Sequence, residues 1–74
     1  MQAILIKDEY SDIAMGFPYE IEKVFGKKHI KLKNSPRRYV SSSFDIMHNG
    51  KKISHKEAYR QYKIQIVKDK LGMK

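Results

Sequence analysis

The chain has no cysteine. A disulfide framework and a thiolate zinc site are therefore excluded, and the usage fits a reducing compartment. No apolar run approaches the roughly 18–20 residues needed to span a bilayer. The start, Met1-Gln2-Ala3-Ile4-Leu5-Ile6-Lys7-Asp8, lacks the basic opening and long apolar centre of a secretory signal. The expected location is therefore cytoplasmic, away from membranes, and the chain reads as a complete protein. Gly16, Gly26, Gly50 and Gly72 are isolated, so there is no glycine-rich phosphate loop. Internal repeats and low-complexity segments are absent, and the one serine run, Ser41-Ser42-Ser43, is too short for a linker. A single small basic domain over residues 1–74 is expected.

What is present is charge of one sign, unevenly placed. The 74 residues carry 16 Lys and Arg against 8 Asp and Glu, a formal net charge of +8. Residues 1–26 hold two cations and five acids, whereas 27–74 hold fourteen cations and three acids. The densest stretch brings together Lys27, Lys28, Lys31, Lys33, Arg37 and Arg38 without an intervening acid. Such an excess is commonly a solvated face that maintains solubility; its density here also suits a polyanionic partner. The apolar fraction of 41% fits a globular chain. A chain this short buries only roughly 60–65% of its unfolded surface, which disfavours a deep walled active site.

The pattern predicts an α+β domain: a small antiparallel sheet of three to four strands with a C-terminal helix packed across it. Ala3–Lys7 reads as a first strand. Over 18–25 a short helix is preferred, with Pro18 at its first position, Gly26 as its stop, and Ile21, Val24 and Phe25 on one face. The rival is a strand with Tyr19 and Ile21 inward and Glu20 and Glu22 outward. His29–Lys33 alternates, placing Ile30 and Leu32 inside and His29, Lys31 and Lys33 outside. Continuing that alternation over Tyr39–Met47 puts Val40, Phe44 and Ile46 on the core face, with Tyr39, Ser41, Ser43 and Asp45 opposite. Asn49-Gly50 marks a hairpin returning through Lys51–Ile53. Ser54-His55-Lys56-Glu57 is a capping box opening a helix over His55–Leu71, with Gly72 at its stop.

That helix has two apolar faces. Ala58, Tyr59, Tyr62 and Ile66 form a core stripe, and Ile64, Val67 and Leu71 lie nearly opposite. The second set is either covered by a loop or the N-terminal segment, or serves as a protein interface, including a homodimer contact. Lys56, Arg60, Lys63 and Lys70 form a stripe between the faces.

No catalytic constellation is recognisable. His29, His48 and His55 fall in different elements without a signature and read as surface residues. Asp8, Glu9 and Asp12 are the only acidic cluster, and no metal or cofactor is expected. The expected function is non-enzymatic binding of DNA or RNA with little sequence specificity. A basic sheet face carrying one aromatic would use Lys27, Lys28, Lys31, Lys33, Arg37, Arg38 and Tyr39, with Lys56, Arg60 and Lys63 as a second strip. Another reading is a small phage- or plasmid-type regulator or inhibitor docking on an acidic protein surface. A third is a metal-independent ribonuclease using His29, Arg37, Arg38 and Tyr39.

Overall fold

A computed structural model describes residues 1–72. Its architecture is α+β, with one antiparallel sheet of six strands, more than the three to four expected, and one C-terminal helix packed on it. The strands are β1 (Gln2–Leu5), β2 (Pro18–Phe25), β3 (His29–Leu32), β4 (Arg38–Val40), β5 (Phe44–His48) and β6 (Lys51–Ile53), in the spatial order β4-β3-β2-β1-β5-β6. A helix, α1 (His55–Lys70), follows; Leu71, expected as its last residue, caps it instead, and Gly72 turns away at φ +68°. No helix among the described residues is long and apolar enough to cross a membrane.

Residues 18–25 form a strand, correcting the preferred helix. The first half of β2 pairs with β1 (Gln2↔Glu20, Ala3↔Tyr19) and the second half with β3 (Val24↔Ile30, Phe25↔His29). Two flanking strands supply hydrogen bonds along its length, and Tyr, Ile, Val and Phe suit a pleated surface better than a short, weakly nucleated helix. Pro18, without an amide hydrogen, stands at the first strand position, where the ladder tolerates it. Between Ile21 and Lys23 the register shifts at a bulge. Beyond it Val24 is buried, while Lys23 and Phe25 turn to the opposite face.

Cross-strand partners identify the core face. Ala3, Leu5, Val24, Ile30, Leu32, Tyr39, Phe44 and Ile46 are buried along it, together with Ala58 of α1. Tyr59 and Tyr62 pack against this cluster from the helix, and Tyr10 and Ile13 from the β1–β2 loop. Two covers thus share one face. The small Ala58, fully buried, lets the helix backbone approach the sheet. His55 is half-buried rather than a surface residue: its Nε2 donates to the carbonyl of Phe25 at 2.7 Å, fastening the start of α1 to the end of β2.

Tyr39 and Val40 exchange the places expected of them. Tyr39 is 1% exposed and Val40 38%. The cause is a 3-10 turn over Ser41–Ser43, which interrupts the alternation between β4 and β5. An odd offset results, so that Tyr39 and Phe44 both face inward. Ser41 and Ser43, expected outside, are buried in this turn; Ser41 Oγ donates to the Lys28 carbonyl and Ser43 Oγ to Glu9. The hairpin at Asn49-Gly50 forms as expected, both residues at positive φ (53° and 78°).

Candidate nucleic-acid interface

The face of the sheet turned away from α1 has two halves of different electrostatic character. Over β1, β5 and β6, charges pair off. Lys52 Nζ lies 3.1 Å from Asp45, and Glu20, on β2 where it adjoins both β1 and Lys33, lies 3.9 Å from the N-terminal ammonium. Over β2, β3 and β4, cations dominate. Lys23, Lys31 and Arg38 are cross-strand partners in one row, and Glu22, which pairs with Lys31, is the acid beside them. Like charges placed side by side on neighbouring strands repel, so the row costs stability unless a counter-anion sits on it. Exposed Lys27 and Lys28 in the β2–β3 turn and exposed Lys33 beyond β3 extend the positive region.

The next row along the same face is Phe25, His29 and Val40. Phe25 is half-buried, with the Arg38 guanidinium carbon 4.1 Å from its ring centroid and Lys23 Nζ at 5.1 Å. Both cations thus lean on one ring, an attraction that offsets part of the entropy lost in ordering their side chains. His29 Nδ1 donates to the Lys27 carbonyl at 2.7 Å, which orients the imidazole. The half-sheet is basic and carries one aromatic. That aromatic is Phe25; Tyr39, assigned to the role from sequence, is in the core.

Tyr39 is instead the centre of a polar lock under the β1–β2 loop. Its hydroxyl donates to Asp12 Oδ2 at 2.6 Å and bonds Ser35 Oγ at 2.8 Å. The Tyr39 hydrogen bond, reinforced by nearby Arg37, holds the Asp12 carboxyl below the usual carboxylate range. Burial, and then the Asp12 bond, push the Tyr39 phenol up. Arg37 reaches over the rings of Tyr10 and Tyr39 at 5.2 and 5.3 Å and lies 3.6 Å from Asp12. Neighbours in sequence, Arg37 and Arg38 therefore serve opposite faces. The set His29, Arg37, Arg38 and Tyr39, considered for a ribonuclease, is divided between those faces and does not converge.

The second basic strip lies on α1. Lys56, Arg60 and Lys63 border a shallow groove of about 570 Å³ with Tyr59 and Ile64. Its cations are partly engaged: Arg60 Nη1 donates to Glu57 at 2.9 Å, and Lys63 Nζ lies 5.3 Å from the Tyr59 centroid. Only one half of the expected capping box forms. Ser54 Oγ accepts from the Glu57 amide, but the Glu57 carboxylate turns along the helix to Gln61 and Arg60. Those two bonds, Gln61 first, keep Glu57 below its ordinary range. Ile64, Val67 and Leu71 are 37%, 54% and 67% exposed, so among the described residues no loop covers the second apolar face.

Lys31, Lys33 and Arg38 thus keep their expected surface positions, while Arg37 and Tyr39 belong to the lock. Lys23 and Phe25 are added to the site. Their signal was the rival strand pattern of residues 18–25, but the bulge that turns both outward has no mark in the sequence. No family model, curated protein or solved structure matches the chain.

Proposed function

We propose that this protein binds nucleic acid without catalysing a reaction on it, through the open face of β2, β3 and β4. The observation that carries the proposal is the unbalanced row of Lys23, Lys31 and Arg38 on a rigid sheet, with Glu22 as its paired acid. Phosphate oxygens would neutralise that row and be met at its margins by Lys27, Lys28 and Lys33. Contacts of this kind fix position without reading sequence, so little specificity is expected.

The test is fluorescence anisotropy of labelled DNA and RNA oligonucleotides at several salt concentrations. Six cations on single-stranded nucleic acid would give a log–log salt slope of up to about −4, at roughly 0.7 per phosphate contact. Absence of salt-dependent binding, even at low ionic strength, would overturn the proposal. A second reading, docking on an acidic protein surface or on another copy of the chain, is favoured by one observation. Ile64, Val67 and Leu71 stand exposed on α1 beside Lys63 and Lys68.

A further inference from the structure

We infer that this surface takes unpaired bases, stacking one of them on the layered pair formed by Arg38 and Phe25; the inference rests on the nucleic-acid reading above. The guanidinium is a plane, and its carbon sits 4.1 Å from the Phe25 ring centroid. That is close enough for the guanidinium to lie on the ring, and the Arg38 side chain is exposed, so a base can reach it from solvent. Lys23 approaches the same ring at 5.1 Å, and Lys31 lies between Lys23 and Arg38 across the strands. A flat cationic platform thus stands within a row of phosphate-binding groups. His29 and Val40, cross-strand from Phe25, continue the ring row as a planar polar group and an exposed apolar one.

A surface of that kind suits bases whose faces are free. In a duplex the faces are stacked on one another, and only base edges and the backbone are offered to a protein. In a single strand, or at a bulge or loop, the bases splay outward and stack on aromatic rings or arginine planes, whichever base they are. Phosphate neutralisation alone would serve duplex and single strand alike. The layered Arg38–Phe25 pair adds a contact that only the unpaired form can use.

The test compares wild type, Phe25→Leu and Phe25→Tyr on a single-stranded oligonucleotide and on a duplex of the same length. Affinity is read by anisotropy across salt concentrations, and stacking by the fluorescence of a 2-aminopurine placed in the single strand. Wild type is expected to prefer the single strand and to quench the 2-aminopurine. Phe25→Leu is expected to lose roughly tenfold in single-strand affinity, within the range for one stacked base, and no more than about twofold on the duplex, where only the positions of Lys23 and Arg38 are affected. Phe25→Tyr should retain the preference. Arg38→Lys preserves the charge but removes the plane; it should reproduce the selective loss, and it stands in for Phe25→Leu if circular dichroism shows that variant unfolded. Equal binding of both forms by wild type, or an unchanged preference in Phe25→Leu and Arg38→Lys, would overturn the stacking inference and leave the phosphate proposal standing. Failure of wild type to bind either form would overturn both.

Discussion

The protein has two basic surfaces, one on the sheet and one on the helix, and they are built differently. On the sheet, Lys23, Lys31 and Arg38 occupy adjacent strands, two of them leaning on Phe25, with Glu22 as their acid. On α1, Arg60 is paired with Glu57 one turn before it, and Lys63 lies over the Tyr59 ring. Side chains three and four residues apart on a helix meet readily, so a helix tends to neutralise its own surface charge. A sheet sets residues from distant parts of the sequence side by side, and here it leaves like charges together. The difference teaches that density of lysine and arginine along the sequence is a poor guide to where positive potential accumulates. The folded neighbours of each cation decide it.

The largest expected effect is a direct contest between the two surfaces. Replacing Lys23, Lys31 and Arg38 together by Ala should weaken oligonucleotide binding on the order of 100-fold at moderate salt and reduce the salt slope by about 2. Replacing Lys56, Arg60 and Lys63 by Ala should cost less than about threefold, as a long-range loss of charge. Anisotropy on both triple variants checks this, and the reverse ranking would transfer the site to the helix.

Next comes the pair that adjoin in sequence. Arg38→Ala should impair binding and cost stability only through its contact with the Phe25 ring, about 0.5–1 kcal/mol. Arg37→Ala should cost at least as much stability without impairing binding. It removes a cation from over two rings, worth about 0.5–1 kcal/mol, or roughly 2–8 °C in Tm for a domain of this size. Its oligonucleotide affinity should stay within about twofold of wild type. Calorimetry and anisotropy on the two single variants would separate the faces; parallel behaviour would mean that the division between Arg37 and Arg38 is not functional.

The lock beneath Arg37 gives a smaller, pH-dependent effect. Asp12 titrates lower in the folded protein than in the unfolded chain. Below the ordinary carboxylate range of about 4, the unfolded chain therefore takes up a proton that the folded one resists. The stabilisation is present above that range and is lost as the pH falls through the lowered folded value. Asp12→Asn should melt below wild type at neutral pH, and the gap should close on acidification past about pH 4. A gap that stays constant with pH would show that the charge of Asp12 is not what the Tyr39 hydroxyl and Arg37 use.

The coarse class was legible in the sequence because its signals were local. The Asn49-Gly50 turn, the Ser54 cap, the alternation of His29–Leu32 and the Gly72 stop each depend on a few adjacent residues. Misreadings arose where distant pairing or an inserted turn governed. Residues 18–25 have helix-like ends, yet β1 and β3 pair with both halves of that segment. The Ser41–Ser43 turn shifts the phase of the alternation, and with it the fates of Tyr39 and Val40. The candidate site inherits both features. A basic sheet face with one aromatic was foreseeable from Lys31, Lys33 and Arg38, but which aromatic it held depended on the bulge between Ile21 and Lys23.

The smallest expected effect concerns the exposed apolar row on α1 and bears on the same comparison from the helix side. Val67 is 54% exposed, so Val67→Asp should shift stability by no more than about 0.5 kcal/mol, as for most surface substitutions. The new carboxylate would stand four residues from Lys63 and next to Lys68. If the sheet is the nucleic-acid surface, oligonucleotide affinity should change by less than about twofold, because the added charge is remote and screened. A helix surface in contact with phosphate would instead lose much more, since the anion would sit among the contacting cations. Sedimentation of wild type and Val67→Asp over a range of concentrations separates the remaining role of this row. A mass that falls to monomer in the variant, with Tm retained, would make Ile64, Val67 and Leu71 a self-association surface, and the helix would then serve assembly while the sheet binds the polyanion.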